Sequence, residues 1–273
     1  MIEFRSVSKV FPDGTVAVGD LDLVIPPRQV TVLVGSSGSG KTTMLRMINR
    51  MVDPTSGTVE IDGTDVATRP AVPLRRGIGY VMQSAGLLPH RRVMDNITTV
   101  LRLNKMPRDE AVERGRELMA KVGLAPDLAG RYPAQLSGGQ QQRVGVARAL
   151  ATDPNILLMD EPFGAVDPIV RTELQDELLR LQESLARTVV FVTHDIDEAF
   201  RLGDRVVILG TGGIIVQQGT PTELLAAPAD EFVASFIGAD RGRRALRVEH
   251  HDGRRLVIDG DGRPAGILAE EPR

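Results

Sequence analysis

Apolar positions along the chain form two kinds of pattern. Some are continuous runs, which are typical of buried strands, and others recur with the spacing of amphipathic helices. Three nearly continuous apolar runs predict strands covered on both faces of a sheet, at 30–34, 155–160 and 188–193. A helical spacing of apolar residues follows each run, and the predicted helices cover 41–51, 168–186 and 195–202. Strands that alternate with helices in this way indicate parallel βαβ units, so we expect an α/β core with a mainly parallel sheet.

Two parts of the chain depart from this alternation. Period-two patterns near the N-terminus predict an antiparallel β subdomain, with a strand pair around the Asp62-Gly63 turn. Residues 92–152 carry helical spacing only, which predicts a helical subdomain inserted at about 84–150. The other predicted strands cover 2–7, 20–25, 77–82 and 204–209.

The composition narrows the function classes. The 273 residues are 42% apolar and 25% charged, which is typical of a globular protein rather than of a disordered chain. The 33 basic and 36 acidic residues give a formal charge of −3, so no basic excess favours nucleic-acid binding. Cysteine is absent, which excludes disulfides and thiolate chemistry. No run approaches the ~20 apolar residues of a membrane span, so we expect any link to a membrane to come through a partner.

A polar, glycine-rich segment lies between the first buried strand and its helix. The sequence GSSGSGKT at 35–42 fits the pattern G-x-x-x-x-G-K-[ST]. Glycines let successive backbone N–H groups turn inward around an anion, and the helix N-terminus that follows favours phosphate. Lys41 can reach the outer phosphates of a nucleotide, and the Thr42 hydroxyl can hold Mg²⁺. The predicted nucleotide-binding residues are Gly35, Ser36, Ser37, Gly38, Ser39, Gly40, Lys41, Thr42 and Thr43.

Two further features extend this prediction. The strand at 155–160 ends in adjacent carboxylates, of which Asp160 can help to hold a metal and Glu161 can polarise an attacking water. The pentapeptide LSGGQ at 136–140 offers a serine N-cap and a second helix terminus suited to an anion. Two such termini in one protomer suggest that two chains share each nucleotide.

These motifs, in this order, resemble those of the ATP-binding subunit of an ATP-binding-cassette (ABC) transporter over about residues 1–238. In that resemblance GSSGSGKTT is the Walker A loop, LSGGQ is the signature and ILLMDEP is the Walker B strand. The segment GAVD corresponds to the D-loop with Asp167, VTHD supplies the switch histidine His194, and YVMQ supplies Gln83. Phe11 lies where the family places an aromatic ring against adenine, although tyrosine is frequent there.

The resemblance implies a P-loop nucleotide hydrolase fold and a head-to-tail homodimer that hydrolyses ATP. Each ATP would lie between the Walker A loop of one subunit and five residues of the other, namely Ser137, Gly138, Gly139, Gln140 and Asp167. The implied catalytic residues are Glu161 as general base, His194, Lys41 and Gln83. The implied Mg²⁺ ligands, direct or through water, are Thr42, Gln83 and Asp160.

Sequence outside the motifs, such as RYPAQLSGGQQQRVGVARAL, resembles subunits that import quaternary-ammonium osmoprotectants: glycine betaine, carnitine, choline or proline betaine. That branch implies transmembrane permease subunits, an extracytoplasmic solute-binding protein and a peripheral place on the cytoplasmic face of the cell membrane. An importer ATPase for another small solute (amino acid, sugar or anion) is the alternative. A soluble ABC ATPase acting on nucleic acid or ribosomes is less favoured, because such proteins carry two cassettes, a long coiled coil or a zinc insertion.

The sequence leaves two interpretations open for each of two segments. Leu87, Leu88 and Val93 could form an exposed patch that receives the permease, or could pack locally in the core. Residues 239–273 have turn pairs at 252–253 and 261–262 between short strands, and resemble part of a cystathionine-β-synthase-type (CBS) module. These residues are too few for a tandem of such modules, so we expect either a remnant or a docking hairpin for the second subunit.

Overall fold

The computed structural model describes residues 1–164, 166–239, 246–251, 254–259 and 263–268. The strands are β1 (Ile2–Val10), β2 (Val16–Ile25), β3 (Val30–Gly35), β4 (Ser56–Ile61), β5 (Thr64–Asp65), β6 (Ile78–Val81), β7 (Ile156–Asp160), β8 (Thr188–Thr193), β9 (Arg205–Leu209), β10 (Ile215–Gly219), β11 (Arg247–His251), β12 (Arg254–Ile258) and β13 (Pro264–Ile267). The helices are α1 (Lys41–Ile48), α2 (Ala71–Arg76), α3 (Val93–Leu103), α4 (Arg108–Lys121), α5 (Gly138–Leu150), α6 (Pro168–Leu185), α7 (Ile196–Leu202), α8 (Pro221–Ala226) and α9 (Glu231–Ile237).

A six-stranded sheet in the order β10-β9-β3-β8-β7-β6 forms the centre of the fold. β10 runs antiparallel to β9 and the other pairs are parallel, which confirms the predicted α/β core. Every residue of β3, β7 and β8 is buried, as their continuous apolar runs predict. Parallel pairing places Val34 beside Thr193 and Asp160 beside Val192, so the loops that carry the predicted site leave from one edge of the sheet.

A second sheet, in the order β2-β1-β4-β5, is antiparallel and matches the β structure expected near the N-terminus. It shares one hydrophobic cluster with α1, in which Phe4, Leu45 and Val59 are almost completely buried. β4 and β5 meet at Asp62 and Gly63, whose φ angles of 52° and 72° are those of a type I′ turn. The Asp-Gly pair in the sequence therefore predicts this hairpin correctly.

The chain between β6 and β7 is helical. α3, α4 and α5 pack around buried side chains such as Ile97, Leu118 and Val144. Asn96 is also fully buried, and it fixes the segment that precedes α3. Its Oδ1 accepts from the Leu88 N–H at 2.7 Å, and its Nδ2 donates to the Leu88 carbonyl at 3.1 Å. The Asn96 side chain thus holds the connection between Gln83 and the helices by pairing with both the N–H and the carbonyl of Leu88.

The structure corrects one expectation from the sequence and selects between two interpretations of another segment. α1 ends at Ile48 and not near residue 51, because Arg50 takes a left-handed φ of 56° that turns the chain. Val93 is fully buried in the main hydrophobic cluster, so it packs locally and does not contribute to an exposed docking patch. Leu87 is half-buried against the same cluster. For this segment the structure favours the core-packing interpretation.

The segment after β9 forms β10, α8 and α9, which the apolar pattern alone did not predict. The last strands form a separate antiparallel sheet in the order β11-β12-β13. The turns expected at 252–253 and 261–262 lie outside the described residues. Within the part of the chain that the structure describes, no helix is both long and apolar enough to cross a bilayer.

Candidate nucleotide-binding site

The loop at 35–40 leaves β3 and turns sharply into α1. Gly38 and Gly40 both have left-handed backbone angles, with φ of 82° and 81°, which glycine adopts without steric cost. A Cβ on Gly40 would come closer than 3.0 Å to the carbonyl oxygen of Ala17 in β2. The loop shape therefore requires glycine at this position. α1 begins directly afterwards at Lys41, and its N-terminal N–H groups favour an anion such as phosphate.

Lys41 is almost completely buried within this loop. Its Nζ donates to the carbonyl oxygens of Gly35 at 2.8 Å and Ser36 at 2.7 Å, and to Ser39 Oγ at 3.2 Å. Burial lowers the pKa of the Lys41 ammonium, and the nearby carboxylates of Glu161 and Asp160 oppose that shift. The ammonium thus lies at the centre of the curled backbone, within the loop that the sequence assigns to phosphate.

Thr42 and Asp160 meet where β7 ends. Thr42 Oγ1 donates to Asp160 Oδ1 at 2.7 Å, and Asp160 itself is buried. Mg²⁺ prefers oxygen ligands and is usually held by one or two protein groups together with substrate phosphates. A hydroxyl and a carboxylate that converge beside a phosphate-binding loop are such a pair, so the residues present fit Mg²⁺.

A second cluster forms around the carboxylate of Glu161. Its Oε2 lies 3.2 Å from His194 Nδ1 and 3.4 Å from the Gln83 side-chain amide, which donates to it. Glu161 has a left-handed φ of 46°, and its N–H donates to the Val192 carbonyl at 3.0 Å. A non-glycine residue in this conformation is held there by its surroundings. The structure thus brings together Gln83, Glu161 and His194, which sequence analysis selected from three separate motifs.

An open cleft of about 310 Å³ runs along the loop. Its lining comprises Phe11, Thr15 and Ala17, the loop from Ser37 to Thr43, and Glu161. The Lys9 ammonium lies 5.4 Å from the centroid of the Phe11 ring, within the range of a cation–π contact. An aromatic ring, a phosphate loop and a carboxylate therefore border one cleft, as a nucleotide requires.

The signature segment forms a separate helix terminus. Ser137 caps α5, since its Oγ accepts from the Gln140 N–H at 3.3 Å and Gln140 Oε1 accepts from the Ser137 N–H at 3.0 Å. Gly139 lies so close to α6 that a Cβ there would overlap the Val170 side chain. Asp167 caps α6, because its Oδ1 accepts from the Ile169 N–H at 2.9 Å.

These signature and D-loop residues do not line the cleft that the phosphate loop borders. The described lining residues of that cleft include none of Ser137, Gly138, Gly139, Gln140 and Asp167. Within one protomer, hydrogen bonds join Thr42 to Asp160 and join Glu161 to Gln83 and His194, whereas the signature residues do not line the cleft beside the loop. This separation is what a site completed by a second copy requires.

Two residues that the sequence analysis did not select also contact Asp160. The Tyr80 hydroxyl donates to Asp160 Oδ2 at 3.0 Å, and Arg46 Nη2 lies 3.8 Å from the same oxygen. Tyr80 belongs to the predicted strand before Gln83 and Arg46 to the predicted helix after the loop. Neither residue forms a motif by its spacing, so only the three-dimensional structure identifies them.

Comparison with known proteins agrees with this geometry. A family model described as "ABC transporter" matches residues 18–164. The chain is 52% identical over 241 residues to the glycine betaine/carnitine/choline transport ATP-binding protein OpuCA of Bacillus subtilis, which covers 88% of this chain and 63% of that protein. It is 52% identical over 249 residues to the glycine betaine uptake system ATP-binding protein YehX of Escherichia coli, which covers 91% of this chain and 80% of that protein. The chain thus spans less than two thirds of the length of OpuCA.

Solved structures are similar as well. The dimeric structure of MJ0796, a bacterial ABC transporter cassette, superposes with a TM-score of 0.74 at 35% identity and covers 81% of this chain and 99% of that one. A dimeric post-hydrolysis state of the same cassette, bound to ADP and Pi, superposes with a TM-score of 0.73 at 34% identity. The family model covers more than half of the chain, and the fold is that of a cassette, so this chain belongs to the ABC transporter family.

Proposed function

We propose that this chain is the ATP-hydrolysing subunit of an ABC importer. The observation that carries the proposal is the meeting of two clusters beside one phosphate loop: Thr42 with Asp160, and Glu161 with Gln83 and His194. The first cluster suits Mg²⁺ and the second suits the activation of a water molecule. Lys41, Glu161 and His194 are all in place, which favours hydrolysis over a cassette that only binds nucleotide.

Each residue has a distinct task in this proposal. Glu161 accepts the proton of the attacking water, and Gln83 and His194 orient its carboxylate by contacting the same Oε2. Lys41 exchanges the loop carbonyls for oxygens of the outer phosphates. Thr42 and Asp160, with Gln83 nearby, would hold Mg²⁺, which would supply positive charge to neutralise the phosphate oxygens. Phe11 stacks against the adenine ring.

The proposed active form is a homodimer in which each ATP contacts both chains. The N-terminus of α5 with Ser137 supplies a capped helix end for phosphate, but it does not line its own protomer's cleft. The dimeric cassette described above supports a dimer of this chain, in which this terminus would face the partner's nucleotide. Asp167 at the start of α6 would belong to the same interface. The cassette would comprise about residues 1–238, with its helical part at 84–150, and 239–273 would be an extension.

The proposed cargo is a quaternary-ammonium osmoprotectant. The similar proteins are described as ATP-binding proteins for glycine betaine, carnitine or choline transport, and a further one for glycine betaine and proline betaine. The chain would lie on the cytoplasmic face of the membrane, bound to permease subunits that receive solute from an extracytoplasmic binding protein. Import of another small solute is the alternative. The net charge of −3 gives no support to a nucleic-acid partner.

Uptake in the native cell tests the proposal. Deletion of the gene for this chain should lower the uptake of labelled glycine betaine, carnitine or choline, and the parent gene should restore it. A Glu161→Gln gene should fail to restore uptake while its product remains present and folded. Normal uptake of all three solutes after deletion, with reduced uptake of an amino acid or a sugar, would favour the alternative cargo.

A further inference from the structure

The carboxylate of Asp160 is contacted at both of its oxygens. Oδ1 accepts the Thr42 hydroxyl at 2.7 Å. Oδ2 accepts the Tyr80 hydroxyl at 3.0 Å, with Arg46 Nη2 at 3.8 Å. The motif pattern accounts for the first contact but for neither of the others.

Tyr80 is placed for this contact by the central sheet. It lies in β6 directly beside Leu158 of β7, two residues before Asp160, and its ring packs against the hydrophobic cluster shared by β7 and α1. The phenol is protonated at neutral pH, so its hydroxyl donates to the Asp160 carboxylate.

The Tyr80 side of Asp160 borders a second cleft. Arg46, Met51, Tyr80, Met82 and Gln83 line it together with Asp160, and its volume is about 580 Å³. Met51 and Met82 are exposed there. Thr42 fixes only Oδ1, so the orientation of the carboxylate plane also depends on what holds Oδ2, and the Tyr80 hydroxyl is a donor at hydrogen-bond distance from that oxygen.

We propose that Tyr80 is a positioning residue for Mg²⁺. By fixing Oδ2, its hydroxyl holds the carboxylate plane so that Oδ1 stays beside Thr42 Oγ1, where the metal is to be held. Groups that hydrogen-bond to a metal ligand orient it, and their removal costs roughly 10–100-fold in metal affinity. The inference rests on the proposed ATPase function, because Asp160 acts on Mg²⁺ only together with nucleotide.

The test is the removal of one oxygen atom. Tyr80→Phe deletes the hydroxyl and keeps the packed ring. The chain contains two tyrosines, so Tyr132→Phe is a matched control. Tyr132 belongs to the helical part, where the Arg92 guanidinium lies over its ring. Nucleotide binding is measured by calorimetry with ATP in EDTA and with ATP at increasing Mg²⁺. The Mg²⁺ concentration for half-maximal phosphate release is measured in parallel.

For Tyr80→Phe we expect unchanged ATP affinity in EDTA and about a tenfold higher Mg²⁺ requirement in both assays. Tyr132→Phe should match the parent throughout. A parent-like Mg²⁺ requirement in Tyr80→Phe would overturn the proposal. Equal weakening with and without Mg²⁺, or failure of the variant to fold, would also overturn it, because either result assigns Tyr80 a structural role. A parent protein that binds Mg²⁺ and ATP but releases no phosphate would refute the proposed ATPase and leave the calorimetric test intact.

Discussion

Gly38 and Gly40 offer a matched pair of perturbations in the phosphate loop. Their backbone angles are nearly equal, with φ of 82° and 81°. Their surroundings differ, because a Cβ on Gly38 would meet no heavy atom within 4 Å, whereas one on Gly40 would overlap the Ala17 carbonyl oxygen. Alanine at either position therefore has the same backbone cost, and only alanine at Gly40 adds a clash.

The magnitudes follow from these two terms. A left-handed backbone costs a residue with a Cβ roughly 1–2 kcal/mol, so Gly38→Ala should lower the free energy of unfolding by about that amount. Overpacking costs typically a further ~1–3 kcal/mol, and here the neighbour is backbone, which cannot rotate away as a side chain could. Gly40→Ala should therefore lose about 2–5 kcal/mol in total.

Thermal unfolding without nucleotide measures the difference directly, since bound ligand would add its own stabilisation. At about 2–4 °C per kcal/mol for a domain of this size, Tm should be about 2–12 °C lower for Gly40→Ala than for Gly38→Ala. Equal losses in the two variants would refute the close approach of the loop to Ala17. No loss in either variant would refute the left-handed conformation of the loop.

Two further substitutions test other parts of the site, and a third tests a buried carboxyl group in α7. Lys41→Ala should weaken ATP binding at least tenfold, because the charge inside the loop is lost; unchanged affinity in calorimetry would contradict its role. Glu161→Gln should retain ATP, lower phosphate release by about 10²–10⁴-fold and accumulate a dimer in light scattering; turnover at the parental rate would exclude Glu161 as general base. Burial raises the pKa of Glu198, whose Oε1 accepts from the Gln175 amide at 2.9 Å, so the folded chain keeps this proton to a higher pH than the unfolded chain. The stability contributed by this group is complete below the unfolded pKa and is lost as pH rises through the folded pKa. As pH rises through the folded pKa, Tm should therefore decline less steeply in Glu198→Gln than in the parent protein. Equal slopes of Tm against pH in the two proteins would contradict the raised pKa of Glu198.

Local patterns in the sequence were sufficient to predict five of the six strands of the central sheet, all but β10, and the phosphate loop. Strands such as β3 are buried on both faces and leave continuous apolar runs, and Gly40 belongs to a pattern whose glycines have a steric cause. Parallel order then places Asp160 and His194 at the same edge as the loop. The apolar runs and the glycine pattern are local features, so these elements could be predicted without knowledge of contacts between distant residues.

Other features depend on contacts between distant segments and leave no local signal. β10, α8 and α9 are short, and neither their lengths nor their apolar spacing separates them from loop. The sequence alone does not show whether Val93 is exposed or buried, because its burial depends on the packing of α3 against α5. The contact of Tyr80 with Asp160 joins β6 to β7 across 80 residues of sequence, so no spacing rule could suggest it.

The central claim is that each nucleotide is held by two copies of this chain, and mixing two inactive variants tests it most directly. Lys41→Ala damages the phosphate loop, and Ser137→Arg damages the signature terminus, so neither homodimer should release phosphate from ATP. If the sites are shared, each mixed dimer contains one site in which the intact loop of one chain meets the intact terminus of the other. Mixing equal amounts should then restore up to about a quarter of the parental rate, and no recovery from a mixture shown to contain mixed dimers would contradict the account.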